Sequence, residues 1–369
     1  MRLACVDLFC GAGGLTHGLI SVGVPVVAGI DIDEACEYAY EENNEGAVFH
    51  VQDVADTTPE QLADYFGDAD VRILAGCAPC QPFSTYAQRK REDENNGEDA
   101  PPVDPRWSLM YEFARLVEDT LPEIVTMENV PTVTRHDVYS DFVAKLEELE
   151  YEVWEGPVDC TEYGLPQSRQ RQVLLASRLG EIELIAPTHE LPKTVEEAIG
   201  DLEEIAAGES SDRDRFHTSA GLSEINLERI QASTPGGTWR DWPEKLRAAC
   251  HRKATGKTYP SVYGRMSPDE PAPTLTTQFF GFGNGRFGHP TQNRAISLRE
   301  GAILQGFPES YEFLPEDETI YFKTLGRMIG NAVPVTLGEV IGRSIRRHLD
   351  RVTRSEADGQ EAVARESAA

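Results

Sequence analysis

The most reactive-looking group in the chain is a cysteine enclosed by prolines. In GCAPCQPFS (76–84), Pro79 and Pro82 limit backbone freedom around Cys80 and hold its thiol in one direction. A free thiol with a pKa of about 8.5 is only about 3% thiolate at neutral pH, and neighbouring cations raise that fraction. The spacing Cys77-Ala-Pro-Cys80 also fits a CxxC redox or zinc pair. With no second pair or histidine cluster beside it, a metal is not expected, but redox chemistry stays open. MENV (127–130) places Glu128 at the end of an apolar run. Such a carboxylate is either a solvated acid or a group that holds or donates a proton at a ring nitrogen. QSRQR (167–171) sets Gln167, Arg169 and Arg171 on alternate positions, which share one face of a strand. That face is either an exposed arginine-bearing edge or a donor array for a base carbonyl and a phosphate.

DLFCGAGGL (7–15) sits between an expected strand and an expected helix. Gly11, Gly13 and Gly14 let the backbone turn tightly and approach a ligand. This is not the dinucleotide fingerprint, because Thr16 stands where the third glycine belongs. Asp31, twenty residues after Gly11, ends the second expected strand and can accept hydrogen bonds from ribose hydroxyls. Asp53, within VQDV, ends the third and can bind an adenine amino group. A purely structural turn would explain the glycines equally well.

The elements that must position these groups alternate along residues 2–176. LACVDLF (3–9), VPVVAGID (24–31), VRILAGC (71–77) and PEIVTMEN (122–129) read as buried strands, with helical stretches such as 33–43 and 106–120 between them. Buried strands joined by helical crossovers imply an α/β fold with a mostly parallel sheet covered on both faces. Ligands then bind outside the carboxyl ends of the strands, where every motif above falls. Residues 89–105, charged and Pro-rich, read as a linker or a lid. From about 187 to 295 the alternation gives way to turn signals (PGG, SPDEPAP, GFGNGRFG). The expected organisation is a main domain of 1–186 plus 296–350, a smaller irregular domain of 187–295, and a disordered polar tail of 351–369.

Lys and Arg total 34 against 63 Asp and Glu, a formal net charge of −29, and only seven of the bases are Lys. A strongly acidic, Lys-poor surface suits solubility in multimolar salt, where self-repulsion is screened, and suggests a haloarchaeal-type source. It also confines any nucleic-acid contact to a local basic surface. Residues 239–257 supply one: Arg240, Lys245, Arg247, Arg252, Lys253 and Lys257 stand against Asp241 and Glu244. Seven irregularly spaced cysteines and no export signal point to free thiols in the cytoplasm. No apolar run approaches the roughly 18 residues that span a membrane.

DLFCGAGGL, GCAPCQPFS, MENV, QSRQR, REGAILQGFP (299–308) and GNAVP (330–334) stand in the order seen in DNA (cytosine-5) methyltransferases, and the chain resembles that family from about residue 2 to 346. The resemblance implies a Rossmann-like methyltransferase domain, S-adenosylmethionine as methyl donor, and a target-recognition domain inserted between QSRQR and REGAILQGFP. It implies that Cys80 attacks carbon 6 of a flipped-out cytosine while Glu128 protonates or hydrogen-bonds ring nitrogen 3. Arg171 would bind the base carbonyl and steady Glu128, and Arg169 would lie toward the backbone of the target nucleotide. Phe9 and Ile32 would lie against adenine, with Val54 beside Asp53; Asp31 would take the ribose, and Asn331 would bring the C-terminal segment back to the cofactor. Gln81, Ser84, Arg89 and Gln167 would contact duplex DNA. Asp31 stands where the family more often has Glu. The expected enzyme is a monomer with a cognate restriction endonuclease as its companion. A transfer-RNA enzyme of the same chemistry would be more compact and carry a CFT-containing signature, which is absent. A thiol oxidoreductase would explain CAPC but not Glu128, QSRQR or GNAVP; it would depend on Cys77, which a methyltransferase should tolerate losing.

Overall fold

The structure is a computed structural model that describes residues 1–79, 108–253 and 260–367. The chain divides into two compact units, Met1–Val158 with Gln170–Ala186 and Leu337–Ala369, and Asp159–Arg169 with Pro187–Thr336.

The first unit is built on seven strands: β1 (Leu3–Leu8), β2 (Val26–Asp31), β3 (Val48–Val51), β4 (Val71–Gly76), β5 (Ile124–Asn129), β6 (Glu152–Asp159) and β8 (Gln170–Ser177). Their order is β3-β2-β1-β4-β5-β8-β6. The first five strands run parallel; β8 lies antiparallel to β5 with Glu128 opposite Val173. The apolar runs of the sequence became strands because they are buried on both faces: all six residues of β5 are buried. Helices α1 (Gly14–Ser21), α2 (Glu37–Asn43), α3 (Pro59–Phe66), α4 (Ser108–Thr120) and α5 (Asp137–Glu148) complete the layers. In α4, Met110, Phe113, Leu116 and Val117 are buried at helical spacing. Phe113 and Phe142 of α5 meet with ring centroids 5.1 Å apart. α3 starts where Thr58 and Gln61 form a capping box ahead of Pro59, which satisfies otherwise orphaned amides.

The second unit holds two-residue strands β7 (Gln167–Ser168) and β9 (Ala272–Pro273), and helices α6 (Val195–Ile199), α7 (Glu224–Gln231), α8 (Leu298–Leu304) and α9 (Phe322–Asn331). One of its cores gathers Ile230, Trp239, Trp242, Leu246 and Phe282. Residues 296–336, expected with the sheet, cluster here instead. The reason is local: Glu300 on α8 is fully buried, with Arg294 Nη1 and Nη2 at 2.7 and 2.6 Å, and His217 Nδ1 lies 2.9 Å from Ser297 Oγ. Separating 296–304 from 187–295 would strand those buried charges.

α10 (Val335–Ser367) returns to the first unit, burying Val340, Ile341, Ile345 and Leu349. It continues through 351–367, where a disordered tail was expected. Polar composition excludes a core, not a helix: residues rich in Ala, Glu and Arg extend a helix that packing has already nucleated. Among the described residues, no helix is long and apolar enough to cross a membrane.

Candidate active site

In the first unit the loops after β1, β2, β3, β4 and β5 leave the same edge of the sheet, because all five strands point the same way. β1 ends in a turn that holds Phe9 at φ 59°, Gly11 at 50° and Gly13 at 82° before α1 begins. Glycine takes this left-handed backbone freely, whereas Phe9 pays about 1 kcal/mol or more for it. A β-carbon added to Gly11 would meet nothing within 4 Å, so the turn faces open space. Asp31, at the end of β2, closes over this turn. Its Oδ2 accepts the Gly11 amide at 2.9 Å and its Oδ1 accepts the Asp33 amide at 2.9 Å. Burial pushes its carboxyl up, and the two amides pull it back. Next to it Ile32 is 69% exposed, an apolar side chain held out at a strand end. Asp53 and Val54 follow β3, and Asp53 caps a short 3-10 turn by accepting the Ala55 amide at 2.9 Å.

Beneath the glycine turn lies a buried acid that sequence reading passed over. Asp7 is 1% exposed; its Oδ2 accepts Thr16 Oγ1–H at 2.7 Å, and its Oδ1 has no hydrogen-bond partner among the described residues. Burial raises its pKa from 3.8 to about 7, the Thr16 bond opposes the rise, and Asp31 adds to it.

At the ends of β4 and β5 three side chains converge. Arg171 Nε lies 2.6 Å from Glu128 Oε1, and Cys77 Sγ–H donates to Glu128 Oε2 at 2.8 Å. Glu128 is 3% exposed. The antiparallel direction of β8 makes this meeting possible. Its start lies at the carboxyl end of β5, and Arg171, two residues before Glu128's partner Val173, faces the same side. Asn129 Nδ2 donates to the Ala78 carbonyl at 3.0 Å, tying the chain after β4 to the end of β5. Gly76 is required here, since its β-carbon would stand 2.8 Å from Phe113 Cε1.

The residues of QSRQR separate. Gln167, Arg169 and Arg171 are all buried while Ser168 and Gln170 are exposed, so the alternation is real but the exposed-edge reading is not. Gln167 and Arg169 belong to the second unit, Arg171 to the first. Gln167, expected at DNA, is 0% exposed; its amide donates to Leu304 O and Gln305 Oε1 and accepts the Leu275 amide, so it braces the second unit. Arg169 Nη1 donates to Leu275 O at 3.3 Å and Nη2 to Ala332 O at 3.5 Å. Asn331 is exposed at the end of α9 in the second unit. Cys80, Gln81, Ser84 and Arg89 lie outside the described residues.

Residues 3–347 match the family described as C-5 cytosine-specific DNA methylase. The chain belongs to that family. It is 49% identical over 352 residues to the Type II methylase M.HgiDII of Herpetosiphon aurantiacus, covering 94% of this chain and 96% of the relative. It is 29% identical over 349 residues to the Type II methyltransferase M1.HphI of Haemophilus parahaemolyticus, covering 94% and 87%. Among solved structures, a prophage-encoded protein of E. coli superimposes with a TM-score of 0.72 at 23% identity, covering 94% of this chain and 99% of the other. The methyltransferase EhMeth of Entamoeba histolytica gives 0.63 at 16% identity, covering 95% and 99%. These relatives lend no support to a haloarchaeal-type source.

This methylase transfers a methyl group from S-adenosylmethionine to carbon 5 of cytosine in DNA. The thiol-oxidoreductase and transfer-RNA readings are less supported. The edge of β1–β3 fits the donor: an oriented carboxylate for vicinal hydroxyls, an exposed aliphatic side chain for a purine face, and a turn open to a ligand.

Proposed function

We propose that Cys80 and Glu128 carry out the chemistry on cytosine, and that the substrate is a specific sequence in duplex DNA. Carbon 5 of cytosine is too weak a nucleophile to take a methyl group unaided. Addition of the Cys80 thiolate to carbon 6, with Glu128 protonating or hydrogen-bonding nitrogen 3, turns the ring into an enamine that is nucleophilic at carbon 5. S-adenosylmethionine supplies the electrophilic methyl. Loss of the carbon 5 proton then expels the Cys80 thiolate and restores the aromatic ring.

The observation that carries this reading is the Glu128 carboxylate held at the end of β5 between Arg171 Nε and Sγ of Cys77, which stands three residues before Cys80 in sequence. Arg171 keeps a nearly dry carboxylate in place and offers further donors to the base carbonyl. Asp31 on β2 and Cys77 after β4 are two strands apart, about 10 Å, so the residues that would hold the donor and those that would hold the base lie along one edge of the sheet. Phe9, Gly11, Gly13, Gly14, Asp31, Ile32, Asp53, Val54 and Asn331 form the donor site in this reading. Neither reacting carbon is reachable in a stacked duplex, so the base is flipped out at a cost of a few kcal/mol. Gln81, Ser84 and Arg89 are the DNA-contacting residues in this reading. Arg169 acts indirectly, by bracing the second unit.

The likeness to Type II methylases supports a place beside a restriction endonuclease, and the net charge of −29 supports solubility in concentrated salt; in this reading the chain acts as a cytoplasmic monomer. Bisulfite sequencing of DNA from a host expressing the chain tests activity and target together. A duplex carrying 5-fluorocytosine at that target should be trapped covalently by the wild type and not by Cys80→Ser. Methylation without trapping would remove Cys80 from its role.

A further inference from the structure

The turn after β3 is held from outside by a residue that the methyl-transfer reading leaves unused. Asp53 precedes a 3-10 turn, Val54–Asp56. Its Oδ1 accepts the Ala55 amide, and its Oδ2 accepts no hydrogen bond among the described residues. Carbonyls at the end of so short a turn find no partner inside it. Arg115 on α4, sixty residues beyond Ala55, supplies one: its Nη2 donates to the Thr57 carbonyl at 3.0 Å and to the Ala55 carbonyl at 3.4 Å.

The direction of this guanidinium is set by its own helix. Arg115 Nε lies 2.7 Å from Glu112 Oε2, and Nη1 lies 3.5 Å from Asp119 Oδ2, about one helical turn to either side. A guanidinium is a rigid plane, so fixing Nε and Nη1 fixes Nη2 as well. Two carboxylates already balance its charge, and the carbonyls of the turn add nothing to that balance; what the contact provides is a position. The rest of the turn is secured separately. Val54 is 2% exposed and belongs to the same buried cluster as Leu62 of α3 and Leu116 of α4. The side-chain amides of Gln52 and Gln61 pair reciprocally at 3.2 Å, and Gln52 Nε2 donates to Thr57 Oγ1 at 3.2 Å. With the stem and the buried side tied down, the exposed side of the turn is left to Arg115.

We propose that Arg115 is a positioning residue for the methyl donor: by holding the Ala55 and Thr57 carbonyls it keeps Asp53 directed at the amino group of the donor's adenine, and thereby sets the preference for adenine over hypoxanthine. The inference rests on Asp53 belonging to the donor site. A carboxylate accepts a hydrogen bond from an amino group and repels an oxo group in the same place, so the preference depends on where the carboxylate stands. An aspartate on a loosened turn loses the attraction and the repulsion together.

The test uses the full-length protein and two ligands titrated by calorimetry, the demethylated donor S-adenosylhomocysteine and its hypoxanthine counterpart S-inosylhomocysteine. The wild type should bind the adenine compound about tenfold or more tightly. Arg115→Met keeps the aliphatic stem and removes the donors. It should weaken the adenine compound by about three- to tenfold and leave the hypoxanthine compound nearly unchanged, so that the preference collapses. In methyl transfer, KM for the donor should rise by a similar factor, with kcat at saturating donor within about twofold of the wild type. Arg115→Lys keeps a cation beside Glu112 and Asp119 but not the fork; it guards against a Met variant that fails to fold, and should show an intermediate preference. Thermal unfolding checks that each variant is folded. Equal weakening of both compounds would overturn the inference, because a merely structural loss lowers both alike and leaves the preference intact. Affinities matching the wild type for both compounds would overturn it as well. A wild type that binds the two equally is a distinct result: it refutes the place of Asp53 at the adenine, and the inference falls with it.

Discussion

Replacing Asp7 by Asn should change how stability depends on pH, by an amount that follows from its burial. The carboxyl of Asp7 titrates at about 7 in the folded chain against 3.8 ordinarily. Below the lower value both states hold the proton, and the folded state keeps its full advantage. As pH rises toward 7 the unfolded chain has released its proton while the folded chain retains it. Stability therefore falls by up to about 1.4 kcal/mol per pH unit and levels off above 7, once the buried carboxyl ionises. Between about pH 5 and pH 8 the loss amounts to about 2 to 3 kcal/mol. Asn accepts the Thr16 hydroxyl bond in the same way but does not titrate. The variant should be the more stable protein at about pH 8 and lose this advantage at about pH 5. Urea unfolding followed by circular dichroism at several pH values measures the wild-type minus variant difference, in which all other titrating groups cancel. A difference that stays flat across that range would refute the argument that Asp7 is buried as a neutral acid.

Other substitutions test the converging side chains. Arg171→Gln leaves the Glu128 carboxylate buried beside a neutral amide, and should lower stability by about 3 kcal/mol and kcat/KM for methyl transfer by at least about 100-fold; stability and tritium transfer near wild type would dissociate the pair from function. Cys77→Ala removes one hydrogen bond to Glu128, about 1 kcal/mol, and should reduce kcat several-fold, while Cys77→Ser keeps a donor and most of the rate. Insensitivity of both variants to added thiol or oxidant would separate this role from redox chemistry. Gly76→Ala drives a β-carbon against Phe113 and should cost about 1 to 3 kcal/mol of stability, measured by thermal unfolding, with an accompanying loss of activity. Methyl transfer by the purified chain should persist in molar KCl; loss of activity and precipitation there would defeat the salt-adapted reading.

The parallel strands were legible because a strand buried on both faces must be a continuous apolar run, and β1, β2, β4 and β5 each end within a few residues of where the apolar run ends. The chemistry-bearing residues were legible because the fold places every such end on one edge. Pairing partners were not. Nothing in MENV or QSRQR announces that β8 runs antiparallel, yet that direction alone brings Arg171 to Glu128. Gln167 illustrates the converse: alternation placed it correctly on the face of Arg169 and Arg171, but only the packing of α8 and of Leu275, two residues past β9, reveals that its amide is spent inside the protein. Cys77 was discounted as dispensable because a hydrogen bond to a carboxylate 51 residues away leaves no mark on spacing. Asp7 was hidden for a similar reason, since an acid within an apolar run looks like a strand residue until burial and the missing partner of Oδ1 are seen.

The position of Glu128 suggests why the site spends two side chains on one carboxylate. At 3% exposure the carboxylate has almost no water to turn to, so its direction is set by the side chains beside it. A thiol on the second oxygen is a weak, easily displaced donor, so Oε2 is held in direction yet released when a better hydrogen-bonding ring nitrogen arrives. Arg171 keeps Oε1 anchored through that exchange, and the carboxylate need not rotate. If this is the division of labour, Cys77→Ser should mimic the wild type in KM and differ slightly in kcat, because a hydroxyl is harder to displace than a thiol. A variant faster than the wild type at saturating DNA would contradict it.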